Sequence, residues 1–176
     1  LRRRGVAARF RATRHGTETL CRGSVDTAVQ QPLHVPSNDP TLVISAMAYA
    51  TQQLGFACTY STSYFPPYQA AKVFSTLDHL TNGRIAWNVV TSYLPDANEN
   101  FEIGDQMDHD ERYERAEEYL EVVYKLWEHS WEEDAAVRDR ERDMHNDPAK
   151  VHEINHSGTW FNIPGPHMCE PSLQRV

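Results

Sequence analysis

Three short stretches of this chain hold hydroxyl, amide and imidazole side chains where a ligand could use them. Ser61, Thr62 and Ser63 follow the apolar run that begins at Phe56. Hydroxyls at a strand end can hold a phosphate or the edge of a heteroaromatic ring. The plain alternative is a strand terminus turning into Pro66-Pro67. Asn88 interrupts the apolar run Ile85 to Val90. A polar side chain in such a strand is costly unless it is hydrogen-bonded, so it either ties down a neighbouring strand or points into a site. His109 and Tyr113, in His109-Asp110-Glu111-Arg112-Tyr113, are four residues apart and share a helix face. His109 would stand at a helix N-terminus, where the backbone favours an anion. The alternative is a surface histidine beside a core tyrosine.

Other chemistries find less support. The chain has nine histidines, and His145, His152 and His156 form the densest group. They lack the HExxH spacing that would supply a metal site with a base, and read as solvated surface residues. There is no GxGxxG, no GxxxxGK[ST] and no GxSxG, so neither a glycine-rich phosphate loop nor a serine nucleophile is supported.

The elements that would position these residues alternate. Asp39 can cap a helix that Pro40 opens, with Leu42, Val43, Ala46, Met47, Ala50 and Leu54 as its apolar set and Gly55 as its stop. Phe56 to Ser63 reads as a strand. Pro66-Pro67 opens a second helix with Ala70, Val73, Phe74, Leu77 and Leu80 on its buried stripe, ended by Asn82-Gly83. Arg84 to Thr91 is a second strand. A polar loop covers 93–108. A long helix from His109 to His129 would bury Tyr113, Ala116, Leu120, Val123, Tyr124 and Trp127 and wet Glu117, Glu118 and Glu121. Residues 130–148 read as an exposed, charged excursion, and 150–163 as a short hairpin. The alternation predicts parallel strands and an α/β class. Two strands do not make a stable sheet alone.

At 176 residues the chain is long enough for one domain with a real core. An apolar share of 40% with 24% charged fits a soluble globular protein, and no apolar run reaches the roughly 20 residues that span a bilayer. The net charge of −8 argues against nucleic acid. Cys21, Cys58 and Cys169 lie far apart, which suggests reduced thiols and a cytoplasmic protein. Residues 1–15 carry six arginines and no acid, +6, so the remainder carries −14. That start reads as a tail, a targeting segment or misread sequence.

Four blocks carry a family resemblance: Asn38-Asp39-Pro40; Tyr64 to Tyr68 (YFPPY) with Ser75 to Leu80; Gly83 to Ser92 (GRIAWNVVTS); and His109 to Tyr113 with Ala116 to Tyr119. In this order and spacing they resemble the flavin-dependent monooxygenases of the bacterial-luciferase superfamily. The branch is that of nitrilotriacetate and dibenzothiophene sulfone monooxygenases, with the closer likeness on the sulfone side. The resemblance covers about residues 23–176 and leaves 1–22 as a basic, unmatched segment. It implies a luciferase-like (β/α)8 TIM barrel, here partial, lacking its first strands and C-terminal half. It also implies a two-component reaction. A separate NAD(P)H:flavin reductase supplies FMNH2, which is used with O2 to oxidise a small organic substrate, often with C–N or C–S cleavage. A homo-oligomer is compatible with it.

Carried over by position, Thr59 and Ser61 match strand-end hydroxyls that contact FMN. Asn88 matches a position beside its ring, and His109 and Tyr113 match the pair at its polar tail or phosphate. No catalytic base is assigned. The acidic flavin-side strand end expected early in the family and the Gly/Ser-rich loop after its fifth strand are not recognisable. A fragment of such an enzyme is therefore expected, with a non-catalytic remnant as the main alternative. A deazaflavin-dependent hydride-transfer enzyme is disfavoured by the Trp87-Asn88 and HxxRY blocks.

Overall fold

The computed structural model describes residues 38–92 and 95–174. The basic segment 1–22, its boundary at residue 23 and Cys21 lie outside them. The elements run α1 (Pro40–Ala50), β1 (Phe56–Ser61), α2 (Pro67–Thr81), β2 (Ile85–Val90), α3 (Pro95–Asn100), α4 (His109–Glu128), a 3-10 turn (Pro148–Lys150), β3 (His156–Ser157) and β4 (Asn162–Ile163). β1 and β2 pair in parallel, with Phe56 opposite Ile85 and Thr59 opposite Asn88. β3 and β4 form the expected small antiparallel hairpin.

One sheet face carries the core. Phe56, Cys58 and Tyr60 pack with Ile85 and Trp87 against Ala70, Ala71, Phe74 and Leu77 of α2 and Tyr119, Val122, Val123 and Leu126 of α4. Each large side chain buried there contributes about 2 kcal/mol by removal of apolar surface from water. Two indoles fasten the layers: Trp87 Nε1 donates to the Tyr60 carbonyl (2.9 Å) and Trp127 Nε1 to the Ala71 carbonyl (3.2 Å). The opposite face, with Ala57, Ala86 and Asn88, is exposed.

The local signals behave as expected. Asp39 caps α1 by accepting from Thr41 N at 2.8 Å. Asn82 and Gly83 end α2 at φ 55° and 75°, the left-handed region that Gly adopts without strain.

Four details differ from expectation. α1 stops at Ala50, not at Gly55. The cause is Arg84, whose guanidinium donates to the carbonyls of Ala48 (3.3 Å), Thr51 (3.1 Å) and Leu54 (2.7 Å). Its Nε also donates to Thr81 O at 2.6 Å, so one cation caps the C-termini of both α1 and α2. Second, α1 buries Ile44 and Ala48, while Leu42 and Val43 face outward. Third, the stripe of α4 is rotated: Tyr113 and Tyr124 are exposed and Tyr119, Val122 and Leu126 are buried. Leu80 of α2 is likewise exposed. Fourth, the polar stretch 93–108 contains α3, because Phe101 after it stacks on Tyr64 at 4.7 Å and meets Phe65 edge-on.

The C-terminal part wraps back over α2 and α4. Asp78 accepts from Ser172 Oγ (2.6 Å), Leu173 N (2.6 Å) and Gln174 Nε2 (2.7 Å). His167, 1% exposed, meets Ser75 Oγ through Nε2 at 2.9 Å. No helix among the described residues is long and apolar enough to cross a membrane.

Candidate functional site

Parallel pairing puts Thr59 and Asn88 side by side on the open sheet face, toward the C-terminal ends of their strands. Asn88 Nδ2 donates to Thr59 Oγ1 at 3.0 Å. That bond leaves the Thr59 hydroxyl hydrogen and the Asn88 carbonyl oxygen for another partner. The small, exposed Ala57 and Ala86 flank the pair.

Ser61 stands on the same face at the end of β1 and is buried. Its Oγ accepts from Ser92 Oγ at 3.0 Å and from Ser63 N at 3.2 Å. Ser92, at φ 56°, lies two residues past β2 and holds Ser61 in place. Ser63 Oγ donates to Thr91 O at 2.5 Å, stitching the two strand ends together.

His109 and Tyr113 share the first turns of α4, with ring centroids 4.8 Å apart. The His109 side chain is 72% exposed, with Nδ1 on Asp110 at 2.8 Å and Nε2 unengaged. Five predicted residues thus form two groups, Thr59–Asn88 with Ser61 below and His109–Tyr113 alongside. Among the described residues no hydrogen bond or ring contact joins the two groups. What joins their supports is Arg115, which the sequence reading did not single out. Its guanidinium donates to Thr62 O at 2.7 Å and lies 4.8 Å over the Phe161 ring. Burial lowers its pKa below the usual arginine value. Arg115 therefore sets the position of α4 against the end of β1.

Two sequence expectations are corrected beside it. Glu118, expected on the wet face of α4, has a side chain only 14% exposed. Its carboxylate accepts from the backbone N–H of Thr159 (3.0 Å), Trp160 (3.0 Å) and Phe161 (2.8 Å) and from His156 Nε2 (3.3 Å). Burial alone would raise its pKa; these hydrogen bonds outweigh it and hold the carboxyl below the usual range. His156, expected at the surface, is buried, with Lys125 Nζ at 3.2 Å from its Nδ1. Gly158 makes the closure possible, since a Cβ there would lie 2.2 Å from Glu118 Oε1. Among the described residues no group of His, Cys, Asp and Glu could hold a metal ion.

The architecture, a parallel strand pair with polar groups at its C-terminal ends and helices behind, matches a known family over most of its length. Residues 12–168 match the luciferase-like monooxygenase domain. The chain belongs to that family. It is 59% identical over 169 residues to the long-chain alkane monooxygenase of Geobacillus thermodenitrificans, covering 96% of this chain and 38% of the relative. It is 51% identical to the dimethyl-sulfide monooxygenase of Hyphomicrobium sulfonivorans, over 92% of this chain and 34% of that one. It is 49% identical to the dibenzothiophene-sulfone monooxygenase of Rhodococcus erythropolis, over 77% and 30%. The crystal structure of long-chain alkane monooxygenase superposes with a TM-score of 0.80 at 62% identity, covering 84% of this chain and 34% of that one. The chain spans about a third of the length of these relatives. Its strand–helix pairs are a part of their TIM barrel. The alkane relative is more similar than the sulfone relative, to which the motifs pointed. Nitrilotriacetate monooxygenase component A follows at 41% over 128 residues.

Proposed function

We propose that this chain is part of an FMN-dependent, two-component monooxygenase that oxidises a small organic substrate with O2. Thr59, Ser61, Asn88, His109 and Tyr113 are its flavin-side residues. The observation that carries the reading is the Thr59–Asn88 bond on an otherwise open sheet face. Both side chains retain hydrogen-bonding capacity where barrels of this kind hold their ligands. Ala57 and Ala86 leave that face flat enough for a ring system. Reduced flavin, when bound, supplies the electrons that activate dioxygen. The chain's own part is to orient and to shield. Thr59 and Asn88 address the ring edge, Ser61 is fixed by Ser92 and Ser63 under the strand ends, and His109 Nε2 with the Tyr113 hydroxyl addresses the polar tail.

The cofactor assignment is supported by a solved relative, a riboflavin lyase with modified FMN, at 41% identity and a TM-score of 0.78. A separate NAD(P)H:flavin reductase as partner is supported by a relative whose name marks it as component A of its monooxygenase. The relatives named for a sulfide and a sulfone favour C–S cleavage. The alkane relative makes C–H hydroxylation the competing outcome. Free Cys58, buried and with its thiol pushed up to about 11 by burial and then by the Asp39 charge, fits a reducing cytoplasm.

Titration of FMN with the purified chain, followed by quenching of flavin fluorescence, tests the reading. Saturable quenching that weakens roughly tenfold in His109→Ala supports it. Equal binding by that variant contradicts the role given to the α4 pair.

A further inference from the structure

We propose that a second pocket, beside the first turns of α4, binds a small oxyanion through Arg112 and Arg115. This pocket, ≈ 140 Å³, lies between the strand ends, the segment 103–107 and α4, and its polar lining includes Ser63, Ser92, Asn98, Asp105, Arg112 and Arg115. Neither His109 nor Tyr113 lines it. Its volume is far below the several hundred Å³ that a flavin-sized ligand needs, but accommodates a carboxylate, sulfonate, sulfate or phosphate group.

The side chain of Arg112 is half-buried, and its Nε is closed off from solvent with no hydrogen-bond partner among the described residues. A shielded guanidinium N–H without an acceptor is costly. The cost is increased by Arg115, three residues on along the same helix face. Asp105, the acidic side chain of the lining, is exposed and pairs with neither arginine. Arg115 is already oriented by Thr62 O and the Phe161 ring, so it presents a fixed charge. Asn98, 8% exposed, adds a neutral amide donor to the same lining. Two guanidinium groups and an amide around a small void are a donor set for oxyanions, which arginine binds through paired N–H groups. Ser63 and Ser92 spend their hydroxyl hydrogens on Thr91 O and Ser61 Oγ. The pocket thus reaches the flavin-side hydroxyl Ser61 through Ser92, close enough for the acidic group of a substrate or product to occupy it.

The test is titration of the flavin-free chain with sodium sulfate and with sodium methanesulfonate, at ionic strength held constant with chloride. Binding is followed by calorimetry and by the arginine Nε–H resonances in ¹⁵N NMR. The expected result is saturable binding of both anions with displacement of the Arg112 Nε–H resonance. Affinity should fall roughly tenfold in Arg112→Gln, recover in part in Arg112→Lys, and stay unchanged in His109→Ala and in the presence of saturating FMN. Equal weak binding by wild type and both Arg112 variants would mean an adventitious ion only and overturn the inference. Competition with FMN, or loss of anion binding in His109→Ala, would assign the anion to the flavin phosphate and overturn it as well. Because the inference is read without flavin, its failure is distinguishable from failure of the flavin assignment.

Discussion

The two ends of the candidate site's support use polar side chains in opposite ways. Where the C-terminal wrap docks, Glu118 and Asp78 each accept hydrogen bonds from at least three residues, and both carboxylates are held below their usual pKa in spite of burial. At the strand ends and the start of α4, Thr59, Asn88, His109 and Tyr113 each keep a polar atom that no described residue engages. Saturated polar groups hold a fold; unsaturated ones at the C-terminal ends of parallel strands are available to a ligand. Residue type alone does not separate the two sets, since an amide and an imidazole occur in each: Gln174 and His156 are engaged, Asn88 and His109 keep an open atom. The separation is in the count of partners.

The largest effect is expected on the saturated side. Glu118→Ala removes the acceptor for three backbone N–H groups and His156, and should cost about 4 kcal/mol in urea unfolding. Gly158→Ala should have a comparable effect, because its Cβ collides with the same carboxylate. A loss within about 0.5 kcal/mol for both would put these residues in the unsaturated class.

His167 gives the next effect. Burial, and then the charge of Lys72, lowers its pKa from 6.5 to about 4. The unfolded chain therefore binds a proton between pH 6.5 and 4 that the folded chain refuses. Its contribution is fully present above pH 6.5 and is lost as pH falls toward 4, about 3 kcal/mol in all. His167→Gln should remove that slope in urea midpoints measured across the window. Asp78 and Glu118 act lower still: their stabilisation is present above ordinary carboxyl values and is lost as pH falls through their depressed ones.

Arg84→Ala uncaps α1 and α2 together and should cost about 2 kcal/mol, with Arg84→Lys recovering only part, since an ammonium cannot reach four carbonyls in one plane. Equal stability of the Ala and Lys variants would show that charge alone suffices.

The same contrast explains what the sequence made legible. The Asp39-Pro40 start, the Asn82-Gly83 stop and the parallel β1–α2–β2 unit depend on residues next to one another, and all three were readable. The Thr59–Asn88 pairing is set by the strand register; the sequence leaves Asn88 open between a tie to a neighbouring strand and a site role. Glu118 and His156 give no local sign of burial because what buries them comes from 38 to 43 residues away in the chain. His167 gave no local signal: its partner Ser75 is 92 residues distant. The rotated stripe of α4 has the same origin, since Tyr119 rather than Tyr113 meets Phe161, at 5.6 Å between ring centroids. The Asn and Asp content of α3 hides it in the sequence, and Phe101 against Tyr64 and Phe65 justifies it.

The smallest structural effect and the sharpest functional one should coincide at Asn88. The most direct measurement is the FMN affinity of Asn88→Ala by fluorescence titration, with its urea midpoint recorded on the same preparation. The expected result is a midpoint change within about 0.5 kcal/mol and an affinity reduced roughly tenfold. An unchanged affinity, or a loss of stability as large as that of Glu118→Ala, would contradict the assignment of the open strand-end face to the flavin.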